Sequence, residues 1–173
     1  MDEIIHIDAF AGIGGFSLAV DAVWPGSKHI FVEIDPFCKA VLRKHYPNTP
    51  IYDDARQFNG KPFRGIELLT GSPPCQSVSV AGKRKGTADA RWLWEDAIRI
   101  LGEVQPRWAI FENVYGLISQ DGGLAFDKVL TGMEAQGYEV WPTVLPACAV
   151  NAPHRRDRVW IVANRKSEGR QSS

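Results

Sequence analysis

The sequence predicts an α/β doubly wound fold, a mostly parallel sheet with an antiparallel edge strand, and three observations carry that prediction. Short β-rich runs alternate with stretches of helical periodicity along nearly the whole chain. The first run, Ile4–Asp8, passes through a glycine-rich turn directly into a helix-like stretch, Ser17–Val23, as the opening of a βαβ unit does. Acidic residues then recur where such runs end, at Asp8, Glu33, Asp54 and Glu112, the edge at which parallel sheets place their chemistry.

Length and composition bound the rest. A chain of 173 residues forms one domain with one core, assigned here to residues 1–164, followed by a polar tail, 165–173, expected to be disordered. Hydrophobic residues at 45% and charged residues at 23% are ordinary for a soluble globular protein. No apolar run is long enough to span a bilayer, and the start, Met1-Asp2-Glu3, is acidic rather than signal-like, so a cytoplasmic protein without membrane partners is expected. Lys+Arg and Asp+Glu balance at 20 each, so any contact with nucleic acid must rest on local clusters. Cys38, Cys75 and Cys148 lie far apart without a paired spacing, and His6, His29, His45 and His154 are equally scattered; neither a disulfide framework nor a metal site is expected.

In chain order, Ile4–Asp8 reads as a strand and Ala9–Phe16 as its turn. The glycines permit close backbone approach to a ligand, and a helix start offers unpaired N–H groups. The spacing is Gly-x-Gly-Gly, with Ser17 where a dinucleotide fingerprint has its third glycine, so a plain strand–helix turn competes with a nucleotide site. His29–Glu33 is a second strand whose terminal carboxylate suits the two hydroxyls of a ribose. Pro36–Tyr46 follows as a helix with proline in its first turn and Cys38 packed into the core. Ile51-Tyr52 leads to Asp53-Asp54, a third strand end, which either meets a ligand's base or is a turn.

Ile66–Thr70 is a buried-strand run delivering Gly71-Ser72-Pro73-Pro74-Cys75-Gln76-Ser77-Val78-Ser79. The prolines stiffen this loop where it carries its thiol. Cys75 is then either a nucleophile or a small buried hydrophobe. Ala81–Arg91 is glycine-bounded, lacks apolar periodicity and holds Lys83, Arg84 and Lys85, as a phosphate-meeting loop or a solvated basic loop would. Trp92–Val104 has helical spacing; Trp108–Phe111 is a strand that delivers Glu112-Asn113-Val114. Leu124–Gln136 reads as a helix, and Tyr138–Leu145 and Arg158–Ala163 as two final strands joined without a helix, hence an antiparallel edge pair.

Four of these stretches, in order and spacing, resemble the DNA cytosine-5 methyltransferase family, over about Ile5–Ala163. Asp8–Phe16 resembles its S-adenosylmethionine loop, Pro74-Cys75-Gln76 with Ser79 its catalytic loop, Glu112-Asn113-Val114 its second catalytic motif, and Arg156-Asp157-Arg158 its paired arginines. The resemblance implies a Rossmann-like methyltransferase fold and S-adenosylmethionine as cofactor. The cofactor would be held by Phe10, Ala11, Gly12, Ile13, Gly14, Gly15 and Phe16, by Glu33 at the ribose, and by Asp54 at the adenine, with Ile34, Ala55 and Pro74 alongside. It implies Cys75 as nucleophile, Glu112 at cytosine N3 and Arg158 at O2 with Arg156 in support. DNA is the implied partner, met by Pro74, Gln76, Ser79, Lys83, Arg84, Lys85 and Asn113.

The chemistry needs those residue types. Cytosine C5 is a poor nucleophile until a thiolate adds at C6, and an acid at N3 absorbs the charge that addition builds. A nearby arginine favours the thiolate, and the base must leave the duplex to be reached. The chain departs from the family's usual pattern at Val78, His154 and Asp53-Asp54-Ala55, which stand for phenylalanine, glutamine and Gly-Asp-Ile. Nothing in it corresponds to the family's target-recognition domain or to the returning helix beside the cofactor. A compact variant, half of a split enzyme served by a second chain, and a truncated non-catalytic remnant are therefore competing expectations. A nicotinamide enzyme would share the glycine turn and Glu33 but leave Cys75, Glu112 and Arg158 without a role; RNA is an alternative substrate.

Overall fold

The computed structural model describes residues 4–74 and 92–166. Seven strands form one sheet in the order β3-β2-β1-β4-β5-β7-β6. The strands are β1 (Ile5–Ala9), β2 (Lys28–Val32), β3 (Ile51–Tyr52), β4 (Leu68–Gly71), β5 (Trp108–Val114), β6 (Tyr138–Pro146) and β7 (Asp157–Arg165). The first five pair in parallel, while β7 runs antiparallel to both β5 and β6. The predicted doubly wound sheet with an antiparallel edge is what the chain forms. The helices are α1 (Gly15–Val23), α2 (Pro36–His45), α3 (Trp94–Val104) and α4 (Leu124–Ala135).

Local chemistry sets the helix ends. Asp35 caps α2 by accepting a hydrogen bond from the Cys38 N–H at 2.9 Å, and Pro36 occupies the first turn, where a missing N–H costs nothing. α1 begins from Gly14 at φ 89°, a left-handed backbone that glycine tolerates. Cys38 is half-buried rather than a core residue: it shares a face of α2 with buried Leu42 but sits one turn earlier, in the helix's first turn.

The two faces of the sheet differ. Ile7 and Ala9 of β1, Leu69 of β4 and Phe111 of β5 join Ile100, Leu101 and Val104 of α3 and Val129 and Met133 of α4 in the main core. The opposite face carries Ala11, Phe31 and Leu42 as a small apolar cluster, beside buried His6, Asp8, His29, Thr70 and Ser17. Strand alternation produces this: within β1, Ile7 and Ala9 point one way and His6 and Asp8 the other.

Boundaries differ from expectation in one place that matters. β5 runs on through Glu112-Asn113-Val114 instead of ending at Phe111, because β7 pairs with it as far as Val114↔Arg158. β7 likewise continues to Arg165, and Pro142 is accommodated in β6 because that strand is an edge.

Candidate active site

The loop after β1 is shaped by backbone in the left-handed region at Phe10 (φ 58°), Gly12 (φ 54°) and Gly14 (φ 89°). Ala11 N–H donates to Val32 O at 3.2 Å, and Gly14 N–H to Ala11 O at 2.9 Å. The Glu33 carboxylate completes the tether: Oε2 accepts from Gly12 N–H and Oε1 from Asp35 N–H, both at 2.7 Å. Each oxygen keeps a second lone pair for a ligand.

Around this loop lie two adjoining cavities that share Phe10, Gly12 and Ser72. The first, about 510 Å³, is lined by Glu33, Ile34, Asp54, Ala55 and Pro74 among the expected residues, and also by Asp53, Arg56 and Leu93. The second, about 870 Å³, is lined by Ala11, Ile13, Gly15 and Phe16, and by Glu112 and Arg156 from the other half of the sheet. Gly14 lines neither; a side chain there would meet Leu42 at 3.0 Å, so it serves the turn. Asp54 accepts from the Arg56 backbone N–H and Nε at 3.0 Å each, and the Arg56 guanidinium holds its carboxyl below the usual range. Asp53 pairs with Lys39 at 2.7 Å. Arg56, Ser72 and Leu93 were not singled out from sequence; Leu93 carries no local signal, since only the packing of α3 brings it to the cavity.

Glu112 and Arg158, expected from sequence at the catalytic centre, meet through the antiparallel pairing. Arg158 stands opposite Val114, and its side chain reaches two residues along β5 to Glu112, the diagonal neighbour on the same face. Arg158 Nε lies 2.8 Å from Glu112 Oε1, and both side chains stay about one fifth exposed, at 21% and 22%. Arg158 Nη1 also donates to Asp157 O at 2.9 Å, and Asp157 is held in turn by Arg155 at 3.0 Å.

Asn113, facing the other way, is 3% exposed. Its amide donates to Pro73 O at 3.0 Å, and its Oδ1 accepts from Val114 N–H at 2.9 Å. Those bonds tie the end of β5 to the segment that leads towards Cys75. Cys75 itself, with Gln76, Ser79, Lys83, Arg84 and Lys85, lies outside the described residues. Pro74 is exposed and lines the smaller cavity. Among the described residues no cluster of three potential ligands could hold a metal ion, and no helix is long and apolar enough to cross a membrane.

Comparison with known proteins bears on the family and the fold. The family described as C-5 cytosine-specific DNA methylase matches residues 4–173. The chain is 34% identical over 171 residues to the type II methyltransferase M.HgiCII of Herpetosiphon aurantiacus, covering 98% of itself and 39% of that relative. It is 35% identical over 181 residues to the type II methyltransferase M.AquIA of Picosynechococcus sp., covering 92% of itself and 71% of that protein. The fold superimposes on the Dnmt2 methyltransferase of S. pombe with a TM-score of 0.75 at 24% identity, covering 96% of this chain and 52% of that one. A prophage-encoded DNA modification methyltransferase from E. coli gives the same TM-score, 0.75, covering 94% and 47%. The chain thus spans about two fifths of the length of several curated relatives it matches, as the 39% for M.HgiCII illustrates. By the match across nearly its whole length, the chain belongs to the C-5 cytosine-specific DNA methylase family.

Proposed function

We propose that this chain carries the cofactor-binding and catalytic region of an S-adenosylmethionine-dependent DNA cytosine-5 methyltransferase, with residues 1–164 as its catalytic domain. The observation that carries the reading is the Glu112–Arg158 pair at 2.8 Å, with Glu112 opening on the cleft that the glycine loop borders. The residues suit the cofactor. Glu33 offers free lone pairs to a ribose diol, Ile34 and Leu93 give an adenine apolar walls, and Asp54 stands at the rim to accept from an exocyclic amine. Bound there, S-adenosylmethionine supplies an electrophilic methyl group.

The chain's own residues do the rest. The Cys75 thiolate forms a bond to cytosine C6, and the displaced ring electrons are drawn towards N3 and O2. Glu112 holds a proton at N3, and Arg158 donates to O2, so the charge of the addition is spread over groups already fixed by their mutual bond. The enamine so formed makes C5 nucleophilic; after methyl transfer a base takes the C5 proton, the ring double bond re-forms and the thiolate leaves. Asn113 positions the thiol's loop through Pro73. Replacing Cys75 by serine is expected to abolish transfer of labelled methyl groups to DNA while leaving binding of S-adenosylhomocysteine intact. Methylation retained in that variant contradicts the covalent step.

A second reading is favoured by one observation: apolar side chains around the cofactor loop face outward, with Ile13 62%, Val23 65%, Trp24 44% and Leu145 46% exposed. A surface of that kind suits a module that works with a further polypeptide segment or second chain supplying DNA recognition. Purified chain that gains methyl transfer only when such a partner is added supports this version; full activity alone removes it.

A further inference from the structure

The polar face of the sheet holds a continuous chain of buried hydrogen bonds that the reaction above does not use. Thr70 Oγ1 lies 3.0 Å from Asp8 Oδ1 and 2.8 Å from His6 Nε2. His6 Nδ1 lies 2.9 Å from His29 Nδ1, and His29 Nε2 lies 2.9 Å from Asp21 Oδ1. The register explains the alignment, since His6 pairs with His29 across β1 and β2 and Asp8 with Thr70 across β1 and β4. The chain crosses from β4 through β1 and β2 to α1. Thr70 lines the 870 Å³ cavity beside the glycine loop, whereas His29, Asp21 and Tyr46 line a separate cavity of about 880 Å³ where β1 and β2 begin.

Counting protons shows what this chain must be. Asp8, Thr70, His6, His29 and Asp21 make four successive links, and each link needs one hydrogen. A threonine hydroxyl and two neutral imidazoles bring one hydrogen each along this path, three in all. A fourth proton is therefore required, on Asp8, on an imidazole or on Asp21. With the proton on Asp8, Asp8 donates to Thr70, Thr70 to His6 Nε2, His6 Nδ1–H to His29 Nδ1, and His29 Nε2–H to Asp21. If each proton moves one place outward, the Asp8 O–H bond breaks, Thr70 donates back to an ionised Asp8, and His6 Nε2–H donates to Thr70. His29 then gains a proton at Nδ1 and becomes an imidazolium against the Asp21 carboxylate. Every link survives in both arrangements, and net charge is conserved.

We propose that these five residues form a proton relay whose shared proton rests on Asp8 in the free protein and moves out to His29 when a cation binds beside the glycine loop. Asp8 would then act as a positioning residue, presenting a neutral or an anionic floor to that loop. This deepens the cofactor reading and rests on it, because the cation is the sulfonium of the proposed cofactor. The groups around the two ends fit the assignment. Asp8 is fully buried, faces Ser17 of α1 and Thr70 of β4, and feels the Glu33 carboxylate beyond β2; none of these groups, the ones acting on it among the described residues, is a cation. Burial before anything else pushes its carboxyl up to about 7 and holds His6 down to about 3. His29 faces Asp21 of α1, the ring of Tyr46 at 5.3 Å, Phe31 at 6.1 Å and His6. Tyr46 OH steadies Asp21 by donating to its other oxygen at 3.0 Å.

Histidine-ring and carboxyl NMR on the labelled chain tests this. At about pH 6, free protein should show His6 protonated only at Nδ1, His29 only at Nε2, and Asp8 as a carboxylic acid. Saturation with S-adenosylmethionine should turn His29 into an imidazolium, and saturation with neutral S-adenosylhomocysteine should not. Thr70→Val, which cuts the path, should bind the cation without that change in His29. Asp8→Asn keeps a donor towards Thr70 and so should fold normally, yet weaken the cationic ligand by roughly tenfold relative to the neutral one in calorimetry. An unchanged affinity ratio in Asp8→Asn, or a His29 response that persists in Thr70→Val, overturns the relay. If calorimetry finds neither ligand bound, the cofactor reading fails. The relay is then overturned by an ionised Asp8 beside neutral histidines in the free protein, and supported by the tautomers given above.

Discussion

Single residues in this protein act through how their lone pairs and protons are committed. Glu112 offers an example. Glu112→Gln keeps an oxygen to accept from Arg158 Nε, so the strand pair should hold and the melting temperature move little, while the acid proposed at N3 is gone. Methyl transfer is expected to fall on the order of 10²–10⁴-fold, the usual worth of a positioned acid. Single-turnover assays with labelled cofactor check this, and near-normal transfer would remove Glu112 from the chemistry.

Asp8 and His6 make a second prediction, about pH. The Asp8 carboxyl is raised from 3.8 to about 7, so its favourable contribution to folding is complete below 3.8 and is lost as pH rises to about 7. His6 is lowered from 6.5 to about 3, so its contribution is complete above 6.5 and is lost as pH falls towards 3. Between roughly 4 and 6.5 the two slopes oppose each other, and the native chain's stability should be nearly flat there. Asp8→Asn removes one slope and leaves the other, so its stability should decline steadily on acidification through that window. Urea denaturation at several pH values reads this directly; a flat profile for Asp8→Asn contradicts it.

At the scale of elements, the site exists because strands end or continue where neighbouring strands require. β4 stops at Gly71, and a Cβ there would lie 2.8 Å from the Ala9 carbonyl oxygen and 3.1 Å from the Phe111 ring. The glycine is required by β1 on one side and β5 on the other, not by its own backbone angles. Gly71→Ala should cost about 1–3 kcal/mol by overpacking, and it should depress methyl transfer further because β4 leads into the Cys75 segment. Equilibrium denaturation set beside specific activity separates the two effects. β5 shows the converse. A strand ending at Phe111, as its apolar run suggests, would leave Glu112 on a loop; pairing with β7 extends it through Val114 and places Glu112 beside Arg158.

The whole molecule places half of its cleft on each side of the switch between β1 and β4, where strand order reverses and ligands commonly settle. A ligand bound only to the folded form stabilises it by about 2.7 kcal/mol at a hundredfold excess over its dissociation constant. S-adenosylhomocysteine should raise the melting temperature accordingly. Glu33→Ala should abolish that rise, since it removes both the proposed ribose acceptor and the tether on Gly12. A full thermal shift in Glu33→Ala would move the cofactor elsewhere.

Sequence alone was enough for the strand–helix alternation, the antiparallel edge and the acids that follow β2 and β3, because period-2 and period-3.6 patterns and turn residues are local. The resemblance then named Glu33, Glu112 and Arg158 on motif spacing. What only the tertiary structure decided is who touches whom. The Arg158–Glu112 bond spans two strands far apart in sequence, Asn113 commits its amide to Pro73, and Leu93, just ahead of α3, reaches the 510 Å³ cavity beside the glycine loop. His6 and His29 read as scattered residues, yet strand register sets them 2.9 Å apart and joins them to Asp8 and Asp21. Contacts of that kind depend on register between segments distant along the chain, which no local pattern encodes.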